Sequence, residues 1–208
     1  MKFGGTSVGD ANCIGRAAAI VKSTAAQRPV VAVVSAMSGV TNRLVAASQK
    51  AEQGEQEFIS QLVAELQTQH VSALEALTGN TKSREETSVA IREVLGELDR
   101  LLRGTAMLRE LTPRALDAIS GIGERLSAPL VSAAVNELGV KAVAISATEL
   151  IVSDPHHGRA EPLMGPTRNR AAARLKPLLD QKIVPIVTGF IAATPEGVQT
   201  ARSWCSRL

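Results

Sequence analysis

The sequence has no tyrosine, and three phenylalanines and one tryptophan leave its aromatic content at only 2%. Proteins that bind single-stranded nucleic acid stack bases on aromatic side chains, so this scarcity argues against such a partner. The net charge agrees, because the value of +3 falls to +1 when the two arginines near the end, Arg202 and Arg207, are left out. We therefore expect no nucleic-acid partner.

Long apolar runs are also missing, since no stretch approaches the roughly 20 apolar residues that span a bilayer. The N-terminus opens on a glycine-rich loop rather than on a basic and then apolar signal segment. Cys13 and Cys205 lie far apart and lack metal-ligand spacing. These absences predict a cytoplasmic protein with no membrane partner and no metal centre in this chain.

Alternating strand and helix patterns are what the chain does contain. Its 208 residues, 45% of them hydrophobic, are enough for one buried core. Residues 30–34, 140–146 and 182–190 are apolar, β-branched runs typical of strands in a parallel sheet. Helical patterns separate them, so we predict right-handed βαβ crossovers and an α/β fold, a three-layer α/β/α sandwich with a mostly parallel sheet.

Helical patterns, from which we predict helices, occur in residues 8–25, 42–53, 55–103, 112–138 and 170–179. The first of these segments has apolar residues at helical spacing, and Asp10 or Asn12 can cap its start. Those apolar residues are Ile14, Ala17, Ala18 and Val21. The third segment is predicted to be two amphipathic helices, separated by turn-forming residues. The fourth is predicted to be one helix with a proline in its first turn.

The first candidate site is the loop KFGGTS, residues 2–7. Gly4 and Gly5 have no Cβ, so main-chain N–H groups can crowd around phosphate oxygens. Lys2 adds a positive charge suited to a phosphoryl group in transfer. Thr6 can donate a further hydrogen bond or cap the next helix. The spacing is neither of the common phosphate-loop motifs, and an ordinary strand-to-helix turn remains the alternative.

The second candidate is a loop rich in small hydroxyl side chains, VVSAMSGVTN, residues 33–42. Ser35 and Thr41 can bind a carboxylate or a phosphate of a substrate. The alternative is a structural turn in which Thr41 or Asn42 caps the following helix.

The third candidate is Glu124, a carboxylate among small and apolar residues in SGIGERLSAPL, residues 120–130. Such a carboxylate suggests a cationic ligand, for example an ammonium group. The alternative is a solvated helical glutamate that pairs locally with the neighbouring Arg125 or with another basic residue. His156 and His157 have no companions at zinc-ligand spacing, so we expect an exposed loop pair there.

Taken in order, these segments resemble the aspartokinases of the amino acid kinase family. The matching segments are KFGGTSV (2–8), VVSAMSGVTN (33–42), GIGERLSAPL (121–130), HGRAEP (157–162) and VPIVTGFIA (184–192). The resemblance covers residues 1–199, and the first two segments together are its most specific part. It implies transfer of the γ-phosphoryl group of ATP, with Mg²⁺, to the side-chain carboxylate of L-aspartate. That reaction is the first step toward lysine, threonine and methionine.

The resemblance also implies roles for particular residues. Lys2 takes the position of the family's N-terminal lysine, which stabilises the transferring phosphoryl group, and Gly4, Gly5 and Thr6 line the phosphate path. For the acceptor, the resemblance assigns contacts with aspartate to Ser35 and Thr41, and the contact with its α-ammonium to Glu124. It further implies that the full-length parent is a homo-oligomer.

Both ends depart from the family pattern. Only Met1 precedes the lysine, so the first strand is expected to be short. At the other end, residues 201–208 read ARSWCSRL where the family continues with a Thr-Leu-Gly-Arg-Gly loop. Bases that encode Ala-Arg-Ser-Trp can encode that loop in another frame.

We therefore predict that residues 1–200 are the N-terminal part of a kinase domain and that 201–208 are an out-of-frame tail. Little or no kinase activity is expected from these 208 residues alone. The alternatives are a non-catalytic fragment that binds aspartate or a full-length subunit, and a different carboxylate kinase of the same fold.

Overall fold

The structure, a computed structural model, describes residues 1–79 and 81–201. The helices are α1 (Ala11–Ala25), α2 (Val40–Glu52), α3 (Glu57–Leu77), α4 (Thr81–Leu108), α5 (Pro113–Ser120), α6 (Ile122–Glu137) and α7 (Met164–Asp180). The strands are β1 (Lys2–Phe3), β2 (Ala32–Val34), β3 (Ala142–Ile145), β4 (Val184–Thr188), β5 (Ile191–Ala193) and β6 (Gln199–Ala201). Within the described residues, no helix has the length and apolar character needed to cross a bilayer.

Four parallel strands form the main sheet, in the order β1-β2-β4-β3. The short strand expected before the glycine loop is present, because Phe3 pairs with Val34 and the Val33 N–H donates to the Met1 carbonyl. Val34 in turn pairs with Thr188 at the end of β4. The parallel arrangement therefore brings the carboxyl ends of β1, β2 and β4 to one edge of the sheet.

Side chains alternate between the two faces of this sheet, as the period of a β-strand requires. One face packs on α1, α2 and α6 through Ala32, Val34, Val184 and Ile186. The other face packs on α7 through Val33, Val143, Ile145 and Val187. This arrangement confirms the predicted three-layer α/β/α architecture. A separate antiparallel pair, β5 with β6, follows the carboxyl end of β4.

Most helices lie where the periodicity predicts them. The four apolar positions predicted for α1 are all buried, and the Asp10 carboxylate caps the helix by accepting from the Cys13 N–H at 2.7 Å. The segment 55–103 is two helices, as predicted, although α4 continues to Leu108. Of residues 30–34, predicted as a strand, only Ala32–Val34 forms β2.

Two helix predictions are wrong in detail. The single helix predicted over 112–138 is two helices, α5 and α6, which meet at Gly121. The last helix begins at Met164 rather than at residue 170, because Thr167 anchors it to the preceding segment. Its hydroxyl accepts from the Val152 N–H at 3.0 Å. Of the predicted tail, only Ala201 is described, as the buried last residue of β6, and 202–208 lie outside the described residues.

Candidate active site

The glycine loop lies at the carboxyl end of β1. Gly4 is extended, and the chain then forms a single 3-10 turn over Gly5–Val8, closed by a 2.8 Å hydrogen bond from the Ser7 N–H to the Gly4 carbonyl. Lys2 is exposed, and its Nζ is 3.4 Å from the point where a Cβ on Gly4 would lie. Lys2 forms no ion pair with any residue in 1–79 or 81–201. The Lys2 ammonium thus provides a positive charge next to a loop in which Gly4 and Gly5 have no side chains to keep an anion away from the main chain.

The hydroxyl loop after β2 packs directly on the glycine loop. The Ser35 N–H donates to the Phe3 carbonyl at 3.0 Å, and a Cβ on Gly5 would lie only 3.2 Å from the Ala36 carbonyl oxygen. Gly39, with φ of 78°, starts α2, and no side chain caps that helix. The predicted cap at Thr41 or Asn42 is therefore wrong, since both residues lie inside the first turn.

Glu124 reaches this loop from the first turn of α6. Its Oε1 accepts a 3.2 Å hydrogen bond from the Ala36 N–H. The approach requires Gly123, because a Cβ at that position would lie 2.6 Å from the Ala36 Cβ. The glycine thus lets the helix bring its carboxylate to the carboxyl end of β2.

The Glu124 carboxylate is buried, and no residue in 1–79 or 81–201 forms an ion pair with it. The residue is 4% exposed, and Oε2 has no hydrogen-bond partner within the described part of the chain. Burial raises the pKa of Glu124 to about 7, although the Ala36 N–H opposes that rise. Arg125 points to α4 instead, where it donates to both oxygens of Glu97 at 2.7 and 2.6 Å. The alternative of a solvated Glu124 paired with Arg125 is therefore wrong.

The predicted site residues fall into two groups. A chain of close contacts connects Lys2, Gly4, Gly5, Ser35 and Glu124 through the loops after β1 and β2. Exposed Thr6 and half-buried Thr41 lie in neighbouring turns. Neither side chain forms a hydrogen bond within the described residues. The binding roles of all seven residues stay predictions.

Sequence reasoning missed a contact between buried Asp117 and partly buried His157. Asp117 of α5 accepts from the Gly158 N–H at 3.0 Å and lies 2.8 Å from His157 Nδ1. The His157 side chain is only 19% exposed, so the predicted exposed pair of histidines is wrong for this residue, while His156 is exposed. Nothing local in the sequence signals this contact, because 40 residues separate the partners.

A second missed feature lies at the carboxyl end of β4. Phe190 has φ of 64°, a left-handed conformation that residues other than glycine seldom adopt. It follows Gly189, whose N–H donates to the Val34 carbonyl at 2.7 Å. The Gly189 hydrogen bond places this turn beside the end of β2, from which the hydroxyl loop starts.

The described residues fit a phosphate group better than they fit a metal ion. The open backbone and unpaired Lys2 suit an anion. In 1–79 and 81–201, no group of three or more His, Cys, Asp or Glu is arranged to hold a metal ion.

Comparison with known proteins identifies the family. The profile of the amino acid kinase family matches residues 1–205. The chain belongs to the amino acid kinase family.

Several relatives are aspartokinases. The chain is 34% identical over 198 residues to the chloroplastic aspartokinase 1 of Arabidopsis thaliana, covering 92% of this chain and 33% of that protein. It is 32% identical over 204 residues to the lysine-sensitive aspartokinase 3 of Escherichia coli, and the match covers 96% of this chain and 42% of that protein. The chain thus spans well under half the length of these relatives.

A solved structure shows the same fold. Aspartokinase III of E. coli, in complex with aspartate and ADP, matches with a TM-score of 0.82 and 30% identity. The match covers 96% of this chain and 42% of that one.

Proposed function

We propose that this chain carries the acceptor-binding and phosphate-binding loops of an aspartate kinase, which converts ATP and L-aspartate to ADP and 4-phospho-L-aspartate. In this reaction an oxygen of the aspartate side-chain carboxylate attacks the γ-phosphorus, and the bond from that phosphorus to ADP breaks. The observation that carries the proposal is the buried Glu124 with one unpartnered oxygen, held beside a glycine loop that bears a free lysine.

Glu124 is suited to hold the α-ammonium group of aspartate. A buried carboxylate without a counter-charge is unfavourable, and an ammonium group supplies both the missing charge and a donor for Oε2. The Ala36 N–H fixes the other oxygen, so the carboxylate is oriented before the ligand arrives. Ser35 and Thr41 lie on the same loop and the turn that follows, where their hydroxyls can contact the carboxylates of the acceptor.

Lys2 and the glycine loop are suited to the phosphate groups. Main-chain N–H groups at Gly4, Gly5 and Thr6 can approach phosphate oxygens closely, and the Lys2 ammonium can follow the charge that moves during transfer. ATP supplies the phosphoryl group, and Mg²⁺ offsets its charge when bound. No covalent intermediate with the protein is needed, because positioning and charge stabilisation account for such transfers.

The wider setting is proposed on the same basis. We propose that the parent reaction belongs to amino-acid biosynthesis, in the branch toward lysine, threonine and methionine. We further propose a cytoplasmic location and a homo-oligomeric parent.

Ligand titrations followed by NMR test the proposal on the chain itself, because they detect millimolar affinities. L-Aspartate is expected to shift amide signals of Ala36 and of residues around Glu124, and Glu124→Gln should abolish those shifts. Inorganic phosphate should shift Gly4 and Gly5, and Lys2→Met should weaken that binding while leaving aspartate binding unchanged. Aspartate binding that survives Glu124→Gln unchanged would contradict the proposal.

A further inference from the structure

Three buried side-chain atoms in the described residues have no hydrogen-bond partner, and two of them lie on α6. They are His70 Nε2, Glu124 Oε2 and Ser127 Oγ. Glu124 is explained by the proposed ammonium contact, but nothing described so far uses Ser127. Ser127 is fully buried. A buried hydroxyl without a partner is unfavourable and requires an explanation.

Helix geometry places Ser127 on the side of α6 that faces the hydroxyl loop. Residues three and four apart share a helix face, so Ser127 lies one turn beyond Glu124 and Gly123. Gly123 packs against Ala36 so closely that a Cβ would lie 2.6 Å from the Ala36 Cβ. The Cα–Cβ bonds of a helix tilt toward its N-terminus, so the Ser127 Cβ tilts toward the turn that carries Glu124.

The two unpartnered atoms complement one chemical group. A primary ammonium has three N–H donors, whereas the free Glu124 Oε2 accepts from only some of them. A serine hydroxyl has two lone pairs and can accept another.

We propose that Ser127 is a second polar contact for the ammonium group of the acceptor, and so helps to select α-amino acids with a free primary amine. This inference rests on the proposed function, because it assigns a partner to the same ligand group that Glu124 holds. Acceptors that lack the amine, such as succinate, gain nothing from this hydroxyl.

The test compares Ser127→Ala with a matched control, Ser48→Ala. Ser48 is also fully buried, but its hydroxyl donates to the Val45 carbonyl at 2.7 Å. NMR titration gives the Kd for L-aspartate and succinate, and thermal unfolding gives Tm. Ser127→Ala should raise the Kd for L-aspartate about tenfold, the effect of losing one hydrogen bond to a charged group. Its Tm should stay the same or rise, because an unsatisfied buried hydroxyl is removed.

The control should show the reverse pattern. Ser48→Ala should lower Tm by roughly 2–4 °C through the loss of a satisfied hydrogen bond and leave the Kd unchanged. An unchanged aspartate Kd in Ser127→Ala overturns the inference while the proposed function stands. An equal loss of succinate binding also overturns it, because the contact would not be to the amine. If the wild-type chain does not bind L-aspartate at all, the proposed function and this inference both fail.

Discussion

Glu124 Oε1 accepts a hydrogen bond from the main-chain N–H of Ala36 at 3.2 Å, although 88 residues separate the two positions. This contact joins the first turn of α6 to the carboxyl end of β2, and within the described residues Oε2 of that carboxylate has no hydrogen-bond partner. One oxygen is thus used for orientation, and the other is available to a ligand.

Aspartate affinity is expected to depend on pH through Glu124. Because burial raises the pKa of Glu124 to about 7, much of the empty site is protonated at neutral pH, and only the ionised form attracts an ammonium group. The Kd for L-aspartate should therefore rise about tenfold for each pH unit below the pKa. Calorimetry measures this trend between pH 5.5 and 8.5, a range that extends roughly one to two pH units on either side of the Glu124 pKa. Glu124→Gln should bind weakly at every pH, and a wild-type Kd that is flat with pH would contradict the account.

The same carboxylate should make the wild-type protein less stable as pH rises. The folded-state pKa of about 7 lies above the usual 4.5, so the folded form holds the proton more tightly. The resulting stabilisation is fully present below pH 4.5 and is lost as pH rises through 7, by roughly 3 kcal/mol in total. Urea unfolding of the wild type and Glu124→Gln, compared at several pH values, isolates this effect. A constant difference in unfolding free energy between the two proteins would argue against a buried, uncompensated Glu124.

His70, in contrast, should make the folded protein less stable as pH falls. It is fully buried in α3, its Nδ1 lies 2.7 Å from the Leu66 carbonyl, and burial lowers its pKa below 6.5. The stabilisation of the neutral ring is complete above pH 6.5 and is lost as pH falls through the folded-state pKa.

His70→Asn keeps a donor for the Leu66 carbonyl but cannot titrate in this range. Urea unfolding of this variant should therefore lose less free energy between pH 6.5 and 5 than the wild type does. Equal losses in the two proteins would show that His70 is not the group responsible.

Gly123→Ala should damage both stability and the acceptor site. Its Cβ would lie 2.6 Å from the Ala36 Cβ and 3.3 Å from Val40 Cγ1, so α6 must move away from the loop. We expect a loss of about 1–3 kcal/mol in unfolding free energy and weaker aspartate binding.

Gly104→Ala is the matched control, because Gly104 lies in α4 with nothing within 4 Å of its added Cβ. That variant should gain up to about 1 kcal/mol from helix propensity. Equal effects of the two substitutions in denaturant titrations would mean that the close approach at Ala36 is not required.

Local patterns predicted much of the fold. The buried positions of α1 and its Asp10 cap follow from spacing and residue type alone. The junction of α5 and α6 could not be predicted in this way. A Cβ on Gly121 would lie 2.5 Å from Ile191 Cγ2, so the packing of a distant hairpin coincides with the break. A pattern within one helix contains no information about such a contact.

The site was predictable only in outline. The residue types predict that the glycine loop binds a phosphate, that the hydroxyl loop binds a carboxylate or phosphate, and that Glu124 binds a cation. The parallel sheet explains why the loops after β1 and β2 meet. The sequence alone left two accounts of Glu124 open. The structure contradicts the pairing with Arg125, because Arg125 extends to Glu97 on α4. The contact with an ammonium group stays a prediction. The Asp117–His157 pair is a tertiary contact with no local signature.

The central claim is that the buried Glu124 carboxylate receives the ammonium group of L-aspartate. Carbon-detected NMR of the Glu124 side-chain carboxyl, titrated with acid in the absence and presence of saturating L-aspartate, tests it most directly. The account predicts a pKa of about 7 in the free protein and a clear fall when L-aspartate is bound, because the ammonium stabilises the ionised form. A Glu124 pKa that is the same with and without L-aspartate, although amide shifts show that the ligand binds, would contradict the account.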